Sequence, residues 1–335
     1  EEAREISIED MIAEEDMVVT LSNRGYIKRN PITIYRSQRR GGKGVTAMGT
    51  REDDFVERFF VASTHHMFLF FTNMGKVYWC KCYDIPQAGR LSPGKAVVNL
   101  LNLQEQERLT TVLAVPEFAP GKYVIMATKN GLVKKTDLMA YSRPRAGGII
   151  AINLLEGDEL IAAHITDGTM NVFLGSAEGK AIRFHESDVR PSGRAATGVR
   201  GMTLAAEEKL VSMEVLSYGQ TLFTVTENGY GKRTSIDEYP VHKRGGKGVI
   251  AIKTSERNGK VVASLVVNDE DDVMLITNIG KVIRTSIGGI SVISRNTQGV
   301  KVNGVVGGVG VVGAVRLGEK DEEEKPEQEI GDDAT

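Results

Sequence analysis

The sequence predicts an all-β fold, a propeller-like disc of six four-stranded blades. Three observations carry that prediction. The 335-residue chain repeats one unit six times, its short apolar runs are bracketed by tight glycine turns, and helical periodicity is sparse. The turn glycines are Gly25, Gly75, Gly131, Gly179, Gly229 and Gly280, spaced by 50, 56, 48, 50 and 51 residues. Three residues before each comes a hydroxyl side chain: Ser22, Thr72, Thr128, Ser176, Thr226 or Thr277. Ten residues after each comes Tyr35, Ile85, Tyr141, Val189, Tyr239 or Ile290, and that recurrence marks them as core positions. A further glycine follows 17 to 19 residues downstream at Gly44, Gly148, Gly198, Gly248 and Gly299, with Ala96 in that place in the second repeat.

Each repeat reads as strand, hairpin, strand, loop, strand, strand. Runs such as 68–72, 77–82 and 97–100 are short and rich in β-branched or aromatic residues. Asn-Gly and Glu-Gly at the turns supply the positive φ that a two-residue hairpin needs. A closing strand is legible near 59–62, 109–115, 160–165, 210–216, 261–267 and 311–317, and it is assigned to the blade of its own repeat. A single blade cannot cover both of its faces, whereas radial stacking covers them and leaves only short edges. The repeats fill residues 17–318, with blades starting near 17, 67, 123, 171, 221 and 272. Residues 1–16 read as a linker with a helical candidate over 7–15, and residues 319–335 as an acidic disordered tail. The chain opens on Glu1 rather than Met, so it reads as a fragment.

Net charge is only −2, which argues naively against a polyanionic partner. The average conceals a partition. Residues 1–16 and residues 319–335 each carry −7, leaving +12 on residues 17–318. The positive charge recurs with the repeat. After the turn glycines come Lys28 and Arg29, Lys76, Lys134 and Lys135, Lys180 and Arg183, Lys232 and Arg233, then Lys281 and Arg284. In the following loops come Arg36, Arg90 and Lys95, Arg143 and Arg145, Arg190, Arg194 and Arg200, then Lys243, Arg244 and Lys247, and finally Arg295 and Lys301. No acid lies between Leu21 and Thr50 or between Tyr239 and Ser255. A surface built only for solubility interleaves both signs, so these windows predict a surface for DNA phosphates.

The densest window is Gln38, Arg39, Arg40, Gly41, Gly42, Lys43 and Gly44. Glycines let backbone N–H groups approach a phosphate, Arg adds forked donors and Lys a point charge. Such contacts hold DNA without reading its bases. The fifth repeat restates the core as Arg244-Gly245-Gly246-Lys247-Gly248, with His242 and Lys243 before it.

The window from Gln38 to Gly44 resembles the box that characterises the DNA gyrase A C-terminal domain family, and the repeat over about 17–318 is similar to that family's six-bladed β-pinwheel. The resemblance implies sequence-nonspecific binding of double-stranded DNA and its chiral, positive wrapping around a basic rim, in service of negative supercoiling by the gyrase holoenzyme. It implies as partners the remainder of the gyrase A subunit, together with the gyrase B subunit, in a bacterial, nucleoid-associated setting. It also implies a non-catalytic part of a type IIA topoisomerase, with ATP and Mg2+ acting elsewhere in the holoenzyme and no cofactor in this segment. The alternative is a topoisomerase IV-like C-terminal domain that binds DNA and selects substrate geometry without strong wrapping.

Other chemistries are weakly supported. Residues 308–313 match Gly-x-Gly-x-x-Gly, yet a dinucleotide site needs strand, turn and helix together, and no helix follows. Residues 89–96 nearly match a P-loop but place Ala96 where a hydroxyl belongs. The five histidines are scattered, no triad or paired-carboxylate spacing stands out, and Cys80 and Cys82 are too few for a metal site and too close for a comfortable disulfide. No run approaches 18 apolar residues and no signal peptide opens the chain, so the protein is expected to be cytoplasmic with no membrane partner.

Overall fold

The computed structural model describes residues 8–31, 54–89, 92–279, 282–302 and 305–316. The first repeat contributes β1 (Asp16–Ser22), β2 (Tyr26–Pro31) and β3 (Val56–Ser63). The second contributes β4 (Met67–Thr72), β5 (Lys76–Lys81), β6 (Lys95–Ala96) and β7 (Leu109–Val115), and the third β8 (Tyr123–Thr128), β9 (Leu132–Asp137), β10 (Ile149–Ile150) and β11 (Leu160–Thr166). The fourth holds β12 (Asn171–Ser176), β13 (Lys180–His185), β14 (Val199–Arg200) and β15 (Leu210–Leu216); the fifth β16 (Thr221–Thr226), β17 (Tyr230–Ser235), β18 (Val249–Ile250) and β19 (Val261–Val267). The sixth holds β20 (Asp272–Thr277), β21 (Val282–Ser286), β22 (Val300–Lys301) and β23 (Val311–Arg316). The sheets are antiparallel and form six blades of an all-β propeller arrangement.

The blades are not made as the sequence reading assigned them. The sheet orders are β3-β1-β2-β6, β10-β5-β4-β7, β11-β8-β9-β14, β15-β12-β13-β18, β19-β16-β17-β22 and β21-β20-β23. Each two-residue outer strand therefore comes from the next repeat. The exchange is fastened at the turn glycines, whose carbonyls accept from the following repeat: Val97 N–H to Gly25 O at 2.8 Å, Ala151 to Gly75 at 2.8 Å and Gly201 to Gly131 at 2.8 Å. A Cβ on Gly179, at φ +85°, would meet the Ile252 carbonyl at 2.3 Å, so close approach and positive φ both demand glycine there. In the second repeat the downstream glycine is Gly94, at φ +81° and pressed against Ile27, and not the Ala96 position.

The core lies between repeats. Because side chains alternate along a strand, Phe68 and Phe70 of β4 join Met17, Val19 and Leu21 of the first repeat, while Met67, Leu69 and Phe71 join Val124, Met126 and Tyr141 of the third. Ile85, Tyr141, Val189 and Tyr239 are buried as their recurrence predicts, Ile290 is half-buried, and Tyr35 lies outside the described residues. Trp79 is half-buried and donates from Nε1 to Tyr141 O at 2.7 Å. Strands β7, β11, β15, β19 and β23 pack successively and form the inner edges, which leaves the exchanged strands at the outer edges.

The helical candidate forms only a 3-10 turn at Glu9–Met11 and then runs extended. The segment is held from the β3–β4 turn and from β5: Thr64 Oγ1 donates to Ala13 O at 2.8 Å, and Lys81 Nζ lies 3.2 Å from the Glu9 side-chain Oε1. Those bonds favour an extended path over the helix expected for 7–15. Cys80 and Cys82 are free and buried, and burial pushes their thiols up to about 12 and about 11.

Candidate nucleic-acid interface

The hairpin cations divide by strand position. Lys28, Lys134 and Lys232 are 0%, 1% and 0% exposed, so they do not face solvent as the charge pattern predicted. They share one register, opposite Thr20, Met126 and Thr224. Repeats two, four and six place Tyr78, Ile182 and Ile283 there. A buried ammonium is costly unless hydrogen-bonded, and each of these finds oxygen acceptors in a neighbouring loop. Lys134 Nζ donates to Thr136 Oγ1 at 2.8 Å, Gly193 O at 3.0 Å and Arg194 O at 2.9 Å. Lys232 Nζ donates to Ser294 O at 2.8 Å, Thr297 Oγ1 at 3.2 Å and Arg295 O. Lys28 Nζ donates to Gly89 O at 3.0 Å.

The next residue along each strand reaches towards the next repeat, where Arg29, Lys135 and Arg183 bond backbone carbonyls in or beside its 3-10 turn. Arg29 donates from Nε to Ile85 O at 2.6 Å and from Nη2 to Tyr83 O at 3.2 Å. Buried Lys135 donates to Glu186 O at 3.0 Å and pairs with Glu186 Oε1 at 3.6 Å, and Arg183 donates to Ile236 O at 2.9 Å. Arg233, also buried, bonds Thr221 Oγ1 at 3.1 Å and pairs with Asp269. Lys28, Lys134, Lys135, Lys232 and Arg233, assigned to the DNA surface from the sequence, are buried and bonded to neighbouring repeats because blades stacked on both faces cover a mid-strand cation, while Arg29 and Arg183 are half-buried. The apolar residues at the lysine register were the sequence signal for that burial.

The loop cations stand differently. Arg143, Arg145, Arg190, Arg200, Lys247, Lys95 and Lys301 are exposed, in loops that lead into the outer-edge strands or on those strands themselves. Lys243 is 91% exposed, although its Nζ lies 3.1 Å from Asp188 Oδ1. Arg284 is 60% exposed and paired with Asp272 at 2.7 Å. Arg194 and Arg244 are half-buried. Each donates to the preceding repeat's outer strand, Arg194 to Ile150 O at 3.2 Å and Arg244 to Arg200 O at 3.0 Å. The Gly245–Gly248 stretch is pinned as well, with Gly245 N–H to Gly201 O at 2.7 Å and Thr203 Oγ1 to Gly245 O at 2.6 Å. Arg36, the window Gln38, Arg39, Arg40, Gly41, Gly42, Lys43 and Gly44, and Arg90 all lie outside the described residues.

The inner strands carry polar groups that spacing alone did not reveal. Burial pushes Glu214 on β15 up to about 8, against the opposing pull of Arg58 on β3 and Arg316 on β23. His164 on β11 contacts Met213 O at 3.0 Å and is pulled down to about 4 by burial. Among the described residues no group of three or more His, Cys, Asp or Glu could hold a metal ion. No described helix is long and apolar enough to cross a membrane.

Five sheets that take an outer strand from the next repeat, a sixth sheet of three described strands, and cationic loops at the outer edges define the class of strand-exchanged β-propeller repeat domains. A family described as "DNA gyrase C-terminal domain, beta-propeller" matches residues 16–63, 66–116, 122–167, 171–217, 220–268 and 271–322, and this chain belongs to that family. The DNA gyrase A protein of Salmonella typhimurium is 49% identical over 321 residues, covering 96% of this chain and 37% of that protein. Its Mycolicibacterium smegmatis counterpart is 43% identical, covering 95% and 38%. The chain thus spans under two fifths of these relatives' length. The solved C-terminal domain of DNA topoisomerase IV aligns with a TM-score of 0.80 at 26% identity, covering 91% of this chain and 94% of that one. The solved DNA gyrase A C-terminal domain gives 0.69 at 27%, covering 90% and 100%.

Proposed function

We propose that this chain binds double-stranded DNA without sequence preference and wraps it with positive handedness around a basic rim. In that role it serves negative supercoiling by a gyrase assembly that includes the rest of the gyrase A protein together with gyrase B. The observation that carries the reading is the repeated placement of exposed Lys and Arg beside the exchanged outer strands: Lys95, Arg145, Arg200, Lys247 and Lys301, one from each of five consecutive repeats. Cations repeated once per blade would meet phosphates at intervals along a bent duplex. Bending 20 to 30 base pairs by 40 to 90° costs on the order of 1–6 kcal/mol. Several neutralised phosphates offset that, and each adds about −0.9 to the slope of log K against log salt.

The decisive experiment measures the linking number of a nicked plasmid religated with the chain at rising protein ratios and two salt concentrations. The expected outcome is a positive shift that fades at high salt. Binding without a shift would favour the non-wrapping, topoisomerase IV-like reading, which the 0.80 TM-score overlap also accommodates. No binding would overturn the DNA reading altogether.

A further inference from the structure

Two of the cations withdrawn from the contact surface, Lys134 and Lys232, lie directly beneath loops that stay on it. The loops of the fourth and sixth repeats, residues 190–200 and 291–301, are each stitched to the preceding repeat where they begin. Ser192 N–H donates to Lys135 O at 2.8 Å, and Ile293 N–H to Arg233 O at 2.8 Å. The next residues curl over a buried ammonium. An ammonium has three donors. Lys134 spends all three on Thr136 Oγ1, Gly193 O and Arg194 O, and Lys232 spends its three on Ser294 O, Arg295 O and Thr297 Oγ1. From above, Arg194 and Arg295 donate to Ile150 O at 3.2 Å and Ile250 O at 2.7 Å. Each loop is thereby gripped from two sides, and Arg190, Arg200 and Lys301 remain exposed.

The grip alternates around the disc. The loops of the third and fifth repeats pass over Tyr78 and Ile182 instead. A Cβ on Gly148 would meet the Tyr78 ring at 2.8 Å, and one on Gly246 would meet Ile182 at 3.6 Å. Those loops fit by paired glycines lying on an apolar side chain, Gly147-Gly148 and Gly245-Gly246. The loops gripped by lysine lack such a pair.

We propose that Lys134 and Lys232 are positioning residues. Each buried ammonium organises the backbone of the next repeat's basic loop, so that the loop's exposed cations are held where DNA phosphates pass. The inference rests on the DNA-binding reading. Burial, and then Arg194, pull Lys134 down to about 7, and burial pulls Lys232 down to about 8 against the opposing pull of Glu238, with Arg295 acting in the same direction as burial. A packed apolar side chain would avoid that cost, as Tyr78 and Ile182 do at this register. What it would not supply is a partner for the carbonyls of residues 193–194 and 294–295.

The test uses the full chain carrying Lys134→Met and Lys232→Met, which keep an unbranched side chain one atom shorter and remove the donors. Three quantities are read: the thermal midpoint, hydrogen–deuterium exchange of amides in 191–200 and 292–301, and the affinity for a labelled duplex across salt. The expected result is faster exchange confined to those loops and roughly tenfold weaker duplex binding, with an unchanged salt slope because every exposed cation remains. As a comparison, Arg145→Ala with Arg200→Ala should lower the slope and leave loop exchange alone. Faster exchange with unchanged affinity would overturn the inference, and so would a slope reduced by about one per lysine, which would make the lysines phosphate contacts. A lowered midpoint with wild-type affinity in the folded protein would reduce them to packing and overturn it too. Failure of the wild-type chain to bind duplex would instead remove the DNA reading. If the double variant does not fold, Thr136→Val takes its place; it deletes one acceptor of Lys134, retains every lysine, and should show the same pattern over 191–200 alone.

Discussion

Glu214 shows what a single residue can report about this fold. Its carboxyl lies on an innermost strand, where burial raises its pKa from 4.5 to about 8 despite Arg58 and Arg316 nearby. Between those two values the folded chain holds a proton that the unfolded chain has released. The contribution of Glu214 is therefore fully present below about pH 4.5 and is lost as pH rises through 8. His164 acts in the opposite sense. Its pKa falls from 6.5 to about 4, so its contribution is present above 6.5 and is lost as pH drops towards 4. Thermal midpoints of the wild type and Glu214→Gln, measured from pH 4 to 9, should separate the two. The variant is expected to lose the decline between about 4.5 and 8 and to be the more stable protein at pH 8 and above. Parallel curves would mean that Glu214 is hydrated as an ordinary carboxylate.

At the scale of the strand and turn, exchange of the outer strand places its demands on glycine. Gly248 has φ +76°, and a Cβ there would meet the Ala181 carbonyl at 2.2 Å. Gly157 has φ +75° with nothing within 4 Å. Backbone conformation alone thus costs Gly157→Ala about 1–2 kcal/mol. Gly248→Ala adds displacement of a neighbouring strand and should exceed it by at least 1 kcal/mol in denaturant unfolding, an order-of-magnitude expectation from strained sites. Equal losses would show that the contact relaxes freely. The same elements divide what the sequence discloses from what it hides. The long strands and hairpins were legible because they bring β-branched runs, hydroxyls and turn glycines at a fixed period. The two-residue strands carry no such run, and their partner is chosen by hydrogen bonds such as Val302 N–H to Gly229 O at 2.8 Å, which link residues far apart in sequence. Gly94 escaped notice for a related reason, since only its contact with Ile27 separates it from other loop glycines. The cations were miscounted as surface because charge is visible in a sequence and burial is not. Only the alignment of Lys28, Lys134 and Lys232 with Tyr78, Ile182 and Ile283 carried a hint.

For the whole molecule, five apolar clusters lie between consecutive repeats, so each blade is stable by virtue of its neighbours and the outer loops follow one another at a regular interval. Near-equivalent loops around a disc account for bending a duplex but not for the hand in which its ends cross. On the proposed wrapping, a departure from the repeat would set the hand, and the strongest departure in the sequence is the window from Gln38 to Gly44, with three cations and three glycines in seven residues. Its fifth-repeat counterpart is already occupied in part, because Arg244 donates to Asp188 O at 2.8 Å and Lys243 faces the Asp188 carboxylate. On the proposed path the first window therefore fixes one end of the duplex while the remaining loops hold the bend. Replacing Arg39, Arg40 and Lys43 with Ala should abolish the linking-number shift and leave substantial duplex binding, with a salt slope lower by about 0.9 for each phosphate contact removed. A shift of wild-type size in that variant would place the origin of handedness in the repeated loops themselves. Loss of binding together with the shift would make the window the main anchor rather than the element that sets the hand.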